Sequence, residues 1–83
     1  MTLRLHPKVA ATTTDSGMVL LDQNAGRYFE LNATGATVVR ALTDGADPVQ
    51  QLMQRASVPK DQAAQDVAEF LETLRSRGLA VDQ

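Results

Sequence analysis

The segment "GRYFELNATGATV", Gly26 to Val38, changes its periodicity in the middle. In its first half Arg27, Phe29 and Leu31 fall on one side and Tyr28 and Glu30 on the other, as successive side chains of a strand do. From Asn32 a helical period takes over. Val38, Val39 and Leu42 share one face, and Asn32 or Thr34 is placed to accept hydrogen bonds from the free amides of a first helical turn. The segment is therefore a strand-to-helix junction. Two of the chain's three aromatic residues, Tyr28 and Phe29, stand side by side just before it and must point to opposite faces of the sheet. Helices stacked on one face can bury only one of them. The alternation assigns Phe29, with Leu31, to the core and leaves Tyr28 on the second face, where it either covers the sheet or meets a ligand.

Towards the N-terminus, Lys8 to Thr13 and Met18 to Asp22 are two further strand candidates. They are separated from each other and from Arg27 to Leu31 by Asp15-Ser16-Gly17 and Gln23-Asn24-Ala25-Gly26, residue types that tolerate the backbone angles of tight hairpins. A meander of three antiparallel strands is expected. Towards the C-terminus, Asp44-Gly45 ends the first helix. A second begins at Asp47-Pro48, with Asp47 as cap, Pro48 at the tolerated first position, Gln50 placed as a capping-box partner, and Val49, Leu52 and Met53 as its apolar stripe. A third follows Pro59, with Asp61 in its first turn. Its apolar residues Ala63, Ala64, Val67, Ala68, Phe70, Leu71 and Leu74 span an arc wider than one packing partner needs. Gly78 ends it, and Leu79 is expected to close back on Leu74.

Eighty-three residues, 43% hydrophobic and 22% charged, fit one folded domain over residues 1–83. A domain of this size buries only about 60 to 65% of the surface its unfolded chain exposes, so its core is modest. The absence of cysteine excludes disulfides, thiolate zinc sites, iron-sulfur clusters and cysteine nucleophiles. No apolar run approaches the roughly 20 residues of a membrane span, and "MTLRLHPKVAATTT" lacks the apolar segment of a signal peptide, so the expected location is cytoplasmic, with no membrane partner. A net charge of −2 and a pI near 5.1 argue against a nucleic-acid partner.

Catalytic chemistry finds no support in the residue pattern. His6 precedes a proline with no serine or carboxylate held near it by local spacing, and reads as a structural or solvated side chain. Ser16, Ser57 and Ser76 fall in a turn, a loop and a helix end, without the context that activates a nucleophile. Asp61, Asp66, Glu69 and Glu72 spread over the solvated face of the third helix and do not converge as metal ligands. Glycines 17, 26, 35, 45 and 78 have turn or cap readings, and none sits in a phosphate-cradling loop. Asn32-Ala33-Thr34 matches a glycosylation tripeptide but is better read as a helix start. No enzyme, cofactor or metal is expected.

The order and spacing of Leu20-Leu21-Asp22, Gly26-Arg27-Tyr28-Phe29, Leu31-Asn32, Gly35, Asp66-Val67, Phe70-Leu71, Leu74 and Gly78-Leu79 resemble those of the PqqD-like domain over roughly residues 6–81. This domain is the element that binds leader peptides in the biosynthesis of ribosomally made, modified peptides. The resemblance implies an α+β fold, a winged helix-turn-helix with a three-stranded antiparallel sheet followed by three helices. It further implies that a precursor's leader peptide adds as a strand to the edge of the third strand and lies against the third helix. Arg27, Tyr28, Phe29, Glu30 and Leu31 would supply the ladder; Asp66, Val67, Phe70, Leu71 and Leu74 would line or position the groove, with Arg75 also beside it.

A free-standing chain of this size most resembles the leader-binding protein of lasso-peptide clusters, which by family resemblance delivers the precursor to a leader peptidase and a cyclase. The pyrroloquinoline quinone pathway and other radical-enzyme systems compete with that reading. An exposed strand edge also offers pairing to a second copy of the chain, as a homodimer. The same architecture hosts DNA-binding proteins, for which Gln50, Gln51, Gln54 and Arg55 on the second helix would be the base-reading residues, although the acidic balance opposes it.

Overall fold

A computed structural model describes residues 3–82. The chain runs β1 (Leu3–Leu5), β2 (Val9–Thr14), β3 (Gly17–Asp22), β4 (Arg27–Leu31), α1 (Ala33–Asp44), α2 (Pro48–Ala56), α3 (Lys60–Ser76) and β5 (Ala80–Asp82). The expected meander is the antiparallel sheet β2-β3-β4, so the third strand of the sequence reading is β4, at the sheet edge. Added to it is a two-stranded sheet in which β1 pairs antiparallel with β5, Leu3 opposite Asp82 and Leu5 opposite Ala80. Three residues each are too few to show a period, and this pairing joins segments more than 70 residues apart in sequence. His6 sits where this ribbon turns into the meander. Its amide donates to the Leu79 carbonyl at 2.9 Å and its Nδ1 accepts from the Lys8 amide at 3.0 Å, which gives it a structural role.

Local chemistry accounts for the element ends. Asn32 Oδ1 accepts from the Gly35 amide at 2.9 Å and caps α1. Asp47 Oδ1 accepts from the Val49 amide at 3.0 Å and caps α2; no bond from Gln50 completes a capping box among the described residues. At the end of α3, Gly78 takes a left-handed conformation with φ 73°, and the Leu79 amide donates to the Leu74 carbonyl at 2.8 Å. The expected closure of Leu79 on Leu74 is thus present, and both side chains are buried.

Two apolar clusters hold the layers together. One, between the sheets and the helices, contains Met18, Leu20, Ala36, Val39, Leu74 and Leu79. The other, among the helices, contains Val38, Leu52, Ala63 and Val67. Phe70 and Leu71 of α3 pack against both. That makes α3 the element whose position couples the helical layer to the sheet. Gly17, at the start of β3, lies so close to the end of β4 that an added Cβ would stand 2.0 Å from the Leu31 carbonyl oxygen.

Candidate peptide-binding edge

The hairpin that presents β4 is fixed by Asp22. Its buried carboxylate accepts from the amides of Asn24 at 3.0 Å and Ala25 at 3.2 Å, and its carbonyl accepts from the Gly26 amide. These bonds set the β3-β4 register, in which Leu20 lies opposite Phe29, Leu21 opposite Tyr28 and Met18 opposite Leu31. Phe29 and Leu31 are half-buried and pack on the core. Tyr28 is 67% exposed on the other face, beside Leu21 at 41%, where with Val19, Thr12 and Thr14 they form a shallow apolar patch. Glu30 is exposed on that same face by alternation.

Among the described residues β4 pairs with β3 on one side only, and its outer edge carries backbone groups without a ladder partner there. α3 and the residue after it approach this edge at its two ends. At one end, the Arg77 guanidinium lies 5.4 Å from the centroid of the Phe29 ring and that of Arg27 lies 5.6 Å from it. At the other end, past Leu31, a depression of about 360 Å³ opens between the first turn of α1 and α3, lined in part by Asn32, Gly35, Asp66, Glu69, Phe70 and Thr73. Gly35 lines this depression and gives the Phe70 ring room to pack there. A Cβ there would come within 3.1 Å of Phe70 Cε1 and 3.3 Å of Leu31 Cβ, so the Phe70 ring lies directly against the helix backbone.

The helical period explains which side chains α3 shows to this cleft. Asp66, Phe70, Thr73 and Arg77 recur at i, i+4, i+7 and i+11 and form one stripe. Val67 and Leu74 point inward and are buried, so they position the helix without reaching a ligand. Leu71 is half-buried against both clusters, and Ala64 and Ala68 lie exposed on the opposite flank. The wide apolar arc therefore has its centre in the core. Its cleft-facing margin is polar except for Phe70. Arg75, expected beside the groove, forms an ion pair with Asp82 of β5 at 2.9 Å. From sequence Glu69 falls on the solvated face, and neither it nor Thr73 or Arg77 is assigned to the peptide site; the i+7 and i+11 positions from Asp66 are the signal for the last two.

Among the described residues no group of three or more His, Asp or Glu is placed to hold a metal ion, and no helix is long and apolar enough to cross a membrane.

Comparison with known proteins gives three findings. The family model described as coenzyme PQQ synthesis protein D (PqqD) matches residues 17–80. A solved structure described as lasso peptide synthetase B1 complexed with the leader peptide is 35% identical and superposes with a TM-score of 0.85, covering 99% of this chain and 100% of its own. A second, TbiB1 in complex with the TbiA(beta) leader peptide, is 25% identical with a TM-score of 0.87, covering 96% of each chain. No curated protein sequence matches significantly.

Proposed function

The chain belongs to the PqqD family, and from that membership we propose that it binds the leader region of a ribosomally made precursor peptide in lasso peptide biosynthesis. The observation that carries the reading is one of placement. The outer edge of β4 leads, past Leu31, to a depression walled by α3 and the first turn of α1, in a fold shared over nearly its full length with two proteins solved with leader peptides.

The leader adds as a strand beside Arg27 to Leu31. Its backbone satisfies the edge, and alternate side chains enter the cleft against Phe29, Leu31, Phe70 and Leu71 or lie on the outer face with Tyr28 and Glu30. Asp66 stands at the rim, while Val67 and Leu74 hold α3 at the right distance. Burying two or three apolar leader side chains contributes about 1.5 to 3 kcal/mol each, and each new strand bond about 0.5 to 1.5 kcal/mol. Ordering a disordered peptide offsets much of this, which leaves a Kd between roughly 10 nM and 10 µM.

The chain acts without catalysis, as one domain over residues 1–83. In the cytoplasm it presents the bound precursor to a leader peptidase and then to a cyclase. In the absence of leader the same β4 edge is available to a second copy of the chain. The family model's description favours a second reading, in which the precursor is that of pyrroloquinoline quinone. Fluorescence anisotropy with labelled leader segments of candidate precursors, starting with one encoded beside the gene, tests both readings. Saturable binding of a lasso-type leader supports the first, and binding of the quinone-type precursor alone supports the second. Sedimentation with and without leader tests whether the peptide displaces a homodimer.

A further inference from the structure

The cleft beside β4 has charges of opposite sign at its two ends. At the Arg27 end, two guanidiniums flank the Phe29 ring at 5.4 and 5.6 Å. At the Leu31 end, both charged residues of the depression, Asp66 and Glu69, are acidic. The Asp66 carboxylate accepts from Gln62 Nε2 at 2.9 Å. Among the described residues none of these four charges forms an ion pair within 4 Å, since the one such pair joins Arg75 to Asp82. Asp22, the residue opposite Arg27, already gives its carboxylate to the hairpin amides. Cations free of ion pairs thus stand beside Phe29 at one end of β4, and anions free of ion pairs stand past Leu31 at the other.

We propose that this polarity selects the leader: the bound segment carries a lysine or arginine at the Asp66/Glu69 end and an aspartate or glutamate at the Arg27/Arg77 end. The inference rests on the peptide-binding reading above. The strands β2, β3 and β4 are antiparallel throughout, and antiparallel pairing is slightly the more stable per residue. A leader strand added in that sense runs from the Leu31 end to the Arg27 end. Its cation therefore precedes its anion. The two ends are separated by about the length of β4 and the turn after it, which at ~3.3 Å per residue places the two leader charges about four to six residues apart. The depression suits a cation on an apolar stem. The stem lies along the half-buried Phe70 ring that packs on Gly35, and the charged head reaches the carboxylates at the rim.

The test is selection of displayed, randomised 12-residue peptides on the immobilised full chain, followed by affinity measurements on the winners. Enriched peptides are expected to carry Lys or Arg four to six residues ahead of Asp or Glu. The double variant Asp66→Lys, Glu69→Lys should bind such a peptide about tenfold more weakly, the scale of two exposed charge contacts reversed in sign. A peptide with Glu in place of its cation should recover binding to that variant, a rescue that general damage to the fold does not produce. Enriched peptides that perturb β4 and α3 but show no charge order, or that bind the double variant as well as the original, overturn this inference and leave the peptide-binding reading standing. Absence of any enriched peptide overturns both.

Discussion

The sheet has two free edges, and they differ in what stands next to them. β2 presents Val9 to Thr14, a run of small and threonine side chains that is exposed from Ala11 onward. β4 presents Arg27 to Leu31 beside α3, with a half-buried aromatic flanked by two arginines and a depression floored by Phe70. Both edges offer backbone hydrogen bonds of the same kind, worth about 0.5 to 1.5 kcal/mol each to any strand that pairs there. Backbone alone therefore gives no choice of edge and little choice of peptide. The difference lies in the wall. At β2 the neighbouring helix α1 offers Arg40, bonded to Thr13, whereas at β4 the Phe70 ring of α3 gives a generic ladder an apolar pocket that reads side chains.

The contrast between the edges is open to graded disruption. Gly17→Ala should have the largest effect. The new Cβ collides with the Leu31 carbonyl, a backbone atom, so β4 must part from β3 where α1 begins. A loss of about 4 kcal/mol or more is expected, enough to abolish thermal unfolding cooperativity in so small a domain and to disable both edges. Leu74→Ala comes next. Its side chain is 1% exposed, and a loss of about 2 to 5 kcal/mol in denaturant unfolding is expected, with the folded fraction still binding leader because Leu74 does not line the cleft.

Gly35→Ala sharpens the comparison, since it strikes only the β4 side. The added methyl displaces Phe70 and fills the depression, at about 1 to 3 kcal/mol of stability, and leader affinity should fall by more than the stability change explains. Tyr28→Ala should leave the melting temperature within the range of ordinary surface changes, about 0.5 kcal/mol either way. Its effect should be confined to leader affinity, read by anisotropy. A melting loss equal to that of Leu74→Ala with intact binding would contradict the placement of Tyr28 on the solvent-exposed outer face, within reach of the leader. Smallest of all, Ala11→Lys on β2 should alter neither stability nor affinity measurably.

Much of this was legible in the residues. The alternation of Arg27 to Leu31 separates Phe29 from Tyr28 and Asp47 marks the second helix start to the residue, because each is settled by chemistry within a few positions; of the two caps open to the first helix, Asn32 and Thr34, the structure uses Asn32. What escaped was non-local. The β1-β5 ribbon joins three-residue segments at opposite ends of the chain, and neither segment carries a pattern that names its partner. Part of the depression's lining, Glu69 and Thr73, escaped for a related reason, although Asp66 and Phe70 were named with the groove. Apolar periodicity on α3 locates the buried stripe centred on Val67 and Leu74, whereas the stripe of Asp66, Phe70, Thr73 and Arg77 acquires meaning only once β4 lies beside it. Arg75 and Arg77 were equivalent as sequence; the capture of Arg75 by Asp82 distinguishes them.

The most direct test of the central claim is to follow the backbone amide shifts of the labelled chain while it is titrated with the leader segment of the neighbouring precursor. Saturable shifts concentrated on Arg27 to Leu31 and on Asp66 to Arg77, with β2 unmoved, are the predicted result. Shifts centred on Val9 to Thr14, or saturable binding that leaves β4 and α3 unperturbed, would contradict the account.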